Sequence, residues 1–99
     1  MAYTQLNQRT ITFADSPYSV VDSDQVIHVD STGGAITINL PAILGVKTDL
    51  YVHDRTGLNA ISIVANGADT INGSASILLQ GADQVRYLSS IDSDMRGSV

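Results

Sequence analysis

Ten aspartates and two histidines carry most of the capacity for chemistry in this 99-residue chain, which has neither cysteine nor glutamate. Aspartate in such number first suggests calcium. An EF-hand loop needs D-x-[DN]-x-[DN]-G and a distant glutamate for the bidentate position. "DTING" offers Asp69, Asn72 and Gly73 at the wrong spacing, and "DSDQVI" supplies two early ligands before running into an apolar strand. Aspartates that bond their own turn backbone explain both stretches better. The triplet Asn72-Gly73-Ser74 matches the N-glycosylation pattern, but the start "MAYTQLNQRT" has no charged segment followed by an apolar run, so that machinery is not expected to meet it.

His28 and His53 each fall in the middle of a β-like run, "VIHVD" and "YVHD". There is no H-x-H, no HExxH and no thiolate partner, so neither histidine makes a metal site alone. A ring of symmetry-related histidines on an oligomer axis could, and a histidine partly buried at an interface would respond to pH. For catalysis the chain shows no G-x-S-x-G elbow, no nominated carboxylate pair and no glycine-rich loop opening a helix. The expectation is a protein that is not an enzyme, with no cofactor, no metal and no catalytic residues.

The elements that must position these residues are strands. "AITINL" (residues 35–40) sends Ile36, Ile38 and Leu40 one way and Thr37 and Asn39 the other. "TITF", "QVIHVD", "DLYVHD", "AISIVA", "SILLQ" and "QVRYLSS" repeat the theme with the Val, Ile, Thr and Tyr content that pleated surfaces prefer. Breaks rich in Gly, Asn and Asp separate them: "ADSP", "DSD", "DSTGG", "DRTGLN", "ANGADTINGS" and "QGAD". The pattern predicts an all-β fold, a compact β-sandwich or jelly-roll-like barrel of about seven to eight short antiparallel strands. "PAILGVKT" (residues 41–48) reads either as a single helical turn or as a loop across the end of the sandwich. The recurring "GAD" and "DSD" are too short to argue for a structural repeat. The division expected is an N-terminal arm or strand over residues 1–17 and one sandwich domain over 18–99.

Charge narrows the partners. A net charge of −5 with scattered cations argues against nucleic acid, which needs clustered Lys and Arg. No apolar stretch approaches the roughly 20 residues needed to span a bilayer. A thin sandwich cannot bury every apolar side chain, and those left over usually mark a partner surface or cap the ends of the core. The candidates for partner contact are Tyr3, Leu6, Ile11 and Phe13 near the N-terminus, Ile43 and Leu44 in the 41–48 segment, and Ile71 between two turns.

One resemblance covers about four fifths of the chain. The blocks at 18–30, 34–42, 54–63, 67–73 and 87–90, among them "GAITINLPA", "DRTGLNAISI" and "GADTING", occur in an order and spacing similar to a small β module of tailed-bacteriophage virion proteins. Where related modules close with a glycine and a tryptophan, this chain reads "SSIDSDMRGSV", and Met95 stands in that place. The resemblance implies a trimer of β-sandwiches with self and other virion proteins as partners. With a short N-terminal segment in place of a fibre shaft, it implies a homotrimeric capsid decoration (cement) protein on the head, made in the host bacterial cytoplasm. The alternative is a short tail-fibre or fibre-tip module that binds a host receptor or glycan through "DRTGLN" and "ANGADTINGSAS".

Overall fold

The computed structural model describes residues 8–21, 24–41, 49–91 and 94–98. Along them run β1 (Gln8–Thr12), a 3₁₀ turn (Phe13–Asp15), β2 (Tyr18–Ser19), β3 (Val26–Asp30), β4 (Ile36–Asn39), β5 (Asp49–Asp54), β6 (Ile61–Val64), β7 (Thr70–Ile71), β8 (Ser76–Leu79), β9 (Gln84–Ile91) and β10 (Asp94–Ser98). They form two sheets, one of six strands in the order β1-β3-β5-β9-β10-β7 and one of four in the order β2-β4-β6-β8. The all-β sandwich expected from the alternating pattern is what the chain adopts.

The strand directions and number differ from expectation. β1, β3 and β5 pair in parallel in the larger sheet, and β2, β4 and β6 do so in the smaller one. Successive strands alternate between the sheets, so the first six wind as a coil of three turns. β8 and β9 then close the coil by pairing antiparallel with β6 and β5. The physical reason is that period-2 alternation reports which face is buried and says nothing of direction. Parallel neighbours need a long crossover, and here each crossover is a strand of the opposite sheet in place of a helix. Among the described residues there are ten strands, because two-residue pieces such as β2 and β7 are too short to show alternation.

Burial follows the alternation closely. Ile36 and Ile38 on β4 and Ile61 and Ile63 on β6 are fully buried, and Ile36↔Ile61 and Ile38↔Ile63 are register partners. Ile27, Val29, Leu50, Val52 and Leu88 face them from the larger sheet. Each such side chain withdrawn from water contributes about 1.5–3 kcal/mol.

The N-terminal stretch divides. Residues 1–7 lie outside the described residues, whereas β1 is the edge strand of the larger sheet and sends Ile11 (2% exposed) into the core. Arg9 and Tyr18 tie this first turn to the buried Asp24: the Arg9 Nε–H donates to one carboxylate oxygen at 3.1 Å, and the Tyr18 hydroxyl and the Val21 N–H donate to the other.

The stretch "ANGADTINGSAS" is a connection. The Asp69 N–H bonds the Asn66 carbonyl at 2.8 Å. Ile71 and Ser74 then exchange backbone hydrogen bonds around Asn72 (φ 51°) and Gly73 (φ 83°). Two consecutive positive φ values mark the two-residue hairpin turn that Asn-Gly favours.

Candidate functional site

The outer face of the six-stranded sheet carries the most chemically loaded surface among the described residues. Because β3 and β5 run parallel in register, His28 lies directly beside His53, and Tyr51 beside Val26. On the other side of β5, Val85 pairs with His53 and Tyr87 with Tyr51. Val26, His28, Tyr51, His53 and Val85 line an open depression of about 280 Å³. Tyr51 and Val85 remain 38% and 41% exposed. The Tyr51 and Tyr87 rings lie 4.8 Å apart at a tilt of 35°, within the range where aromatic pairs add to simple burial.

A hydrogen-bonded row crosses three strands and a turn here. Gln8 Oε1 is 2.7 Å from His28 Nε2, His28 Nδ1 is 2.9 Å from His53 Nδ1, and His53 Nε2 is 3.0 Å from Asp83 Oδ1. The two rings meet edge-on, their planes at 84°. Burial, then the neighbouring His53, then Arg55 lower the pKa of His28. Among the described residues no group of three or more His, Cys, Asp or Glu converges to hold a metal.

Asp54 marks a second polar point and is structural. Fully buried at the end of β5, it accepts N–H bonds from Thr56 (3.3 Å) and Gly57 (2.8 Å) through one oxygen, and from Gly81 (2.9 Å) through the other. It clamps the turn after β5 to the turn before β9. Ser31, also buried, does the same between successive coil turns: its hydroxyl lies 3.0 Å from the Thr56 hydroxyl and accepts from the Asn59 N–H at 3.1 Å.

The residues expected at a partner surface are scattered. Tyr3, Leu6, Ile43 and Leu44 lie outside the described residues. Ile11 is a correction: its side chain is in the core because β1 belongs to the sheet. Ile71 is 0% exposed, so it plugs the core and has no surface for a partner. Phe13 does stay half exposed, with its inner side against Gly33 and Gly34. The histidine pair and its apolar surround were missed in the sequence, although a signal existed. "VIHVDSTGGAITI" and "YVHDRTGLNAISI" align at an offset of 25, matching His28 with His53, Ala35 with Ala60, Ile36 with Ile61 and Ile38 with Ile63.

No protein-family model matches the chain, and no curated protein sequence does.

Proposed function

We propose that this protein is a structural component of a tailed-bacteriophage virion that works by association and not by catalysis. In this reading it is a homotrimeric decoration protein that reinforces the head shell by bridging major capsid proteins. The observation that carries the association is the outer face of the six-stranded sheet, where Val26, Tyr51 and Val85 leave apolar surface open around the histidine pair. A solvated sheet face is ordinarily polar, and apolar residues grouped on it mark a contact surface. Support for the virion comes from the residue blocks at 18–30, 34–42, 54–63, 67–73 and 87–90, whose order resembles that of phage β modules. The segment "AYTQLN" (residues 2–7) precedes the edge strand β1 and is suited to adding a strand to a neighbour's sheet. Nucleic acid, membrane and cofactor have no part in this reading.

Removing residues 2–7 tests it. The shortened chain should still form trimers but lose its binding to purified heads; unchanged head occupancy would sink the role of the segment. A second reading, a fibre tip, draws on Leu58, 60% exposed in the turn after β5. Adsorption of the purified protein to host cells, weakened by Leu58→Ser, would favour the tip over the decoration protein.

A further inference from the structure

We propose that the free edge of β8 is a strand-addition site, taking an extended segment of a partner protein that carries a carboxylate for Arg86. The site stands apart from the association face, because β8 belongs to the smaller sheet and none of its residues line the histidine depression.

Strand order leaves the edge open. β1-β3-β5-β9 in the larger sheet runs in step with β2-β4-β6-β8 in the smaller one, and the larger sheet then continues through β10 and β7. Among the described residues the smaller sheet has no strand beyond β8. The Ala65 N–H donates to the Ala75 carbonyl at 2.9 Å. In the antiparallel ladder Ile63–Ile77 and Ile61–Leu79 are therefore the bonded pairs, and Val64–Ser76 and Ser62–Leu78 the non-bonded ones. The N–H and C=O groups of Ser76 and Leu78 then point away from β6, toward the open edge. Such a row is a template for another strand. No charge and no proline guards "SILL". Leu78 is 65% exposed, and Ile77 is only partly buried against the core.

Arg86 sets the chemistry of the occupant. It stands opposite Val52 in the antiparallel β5–β9 pair, and residues so paired share a face of the sheet. Val52 is fully buried, so Arg86 also points inward, whereas its neighbour Val85 lines the outer depression. The Arg86 Nε is buried with no hydrogen-bond partner, and neither ion pair among the described residues includes this side chain. A charge withdrawn from water without a partner is costly, and a guanidinium matches a carboxylate through two parallel N–H donors. The core around Val52, Ile61 and Ile63 is closed. The side of β9 beyond β8 is left as the way out for the guanidinium, and the inward side chains of a strand added to β8 would stand over that side. The backbone of Ser76 and Leu78 then supplies affinity, and Arg86 selects an acid at one inward position.

The test is titration of the full-length protein with a short acetylated and amidated peptide of alternating threonine and valine, with aspartate in place of its central valine. Binding is followed by amide chemical shifts and hydrogen exchange. One peptide should bind per chain, and exchange should slow at the Ser76 and Leu78 amides, which are fast in the free protein. The same peptide with asparagine at its centre should bind about 10-fold more weakly, because the charge-assisted bond is lost. Arg86→Gln should fold with no loss of stability, since its charge has no partner to lose, and should bind the two peptides equally. Ser76→Pro removes one edge N–H at the first residue of the strand, where proline is tolerated, and should weaken both peptides. Slow exchange at Ser76 and Leu78 in the free protein would mean that a second copy or the chain itself already pairs the edge, and would overturn the proposal. So would absence of saturable binding, shifts confined to β1, or an asparagine peptide that binds wild type as tightly as the aspartate one.

Discussion

Replacing Asp54 should cost more stability than any other single polar change in the described fold. Its carboxylate is fully buried and receives three backbone N–H groups, two of them at 2.8 and 2.9 Å and one at 3.3 Å. In Asp54→Ala all three donors lose their acceptor. A buried donor left unpaired costs about 1–3 kcal/mol. The Gly57 and Gly81 turns are only partly covered, so water can reach some of the freed groups, and the lower part of that range applies. Counting the two short bonds fully and the long one weakly gives about 3 kcal/mol. That is a large share of the roughly 5–15 kcal/mol that holds a small domain. Asp54→Asn keeps the size and one acceptor oxygen but turns an NH₂ toward one of the donors, so about half that loss is expected. Urea unfolding at pH 7 measures both. With a slope near 1 kcal/mol/M, the alanine midpoint should fall by roughly 3 M. An alanine variant within about 1 kcal/mol of wild type, or an asparagine variant fully as stable as wild type, would refute the clamp.

Ile71→Asp should unfold the protein or cost more than the roughly 2–5 kcal/mol of a large-to-small core change, because Ile71 is 0% exposed; thermal melting would show it. Gly57→Ala should be far more damaging than Gly67→Ala. Both have positive φ, but a Cβ at Gly57 would meet the Ala82 backbone nitrogen at 2.5 Å, while nothing lies within 4 Å of one at Gly67. Denaturant midpoints should therefore separate them, with Gly67→Ala near about 1 kcal/mol. At high pH, stability should fall between about 10 and 12. Burial and the bond to Asp24 push the Tyr18 pKa up to about 12, so the unfolded chain releases this proton first, at about 10. Tyr18→Phe should flatten that slope in melting curves. At low pH the sign reverses for Asp24: burial opposes its charge, but bonds from Tyr18, Val21 and Arg9 outweigh burial and lower its pKa. Its contribution is present above about pH 3.9 and fades as pH drops through the folded value, which acid titration of Asp24→Asn against wild type would reveal.

Which face each strand buries was legible in the sequence, and so was the Asn72-Gly73 turn. "AITINL" needed only its period of two to place Ile36, Ile38 and Leu40 inside. Strand direction was not legible, since a parallel and an antiparallel neighbour bury the same alternate residues. The 25-residue echo between "VIHVDSTGGAITI" and "YVHDRTGLNAISI" was the clue to the coil. The first turn obscures it, because it is shorter and shares few residue types. Without the coil His28 and His53 read as isolated histidines, although parallel register makes them neighbours. Ile71, sitting between turns, read either as a plug for the end of the core or as a partner contact, and its complete burial beside β10 decides for the plug.

The proposed function rests on association through the outer face of the six-stranded sheet. Sedimentation velocity of the full chain against the Tyr51→Lys/Val85→Lys double variant tests it most directly, since both positions are exposed and their change should leave the fold intact. The wild type should sediment as a trimer and the variant as a folded monomer. A wild-type chain that sediments as a monomer, or a double variant that remains trimeric, would contradict it.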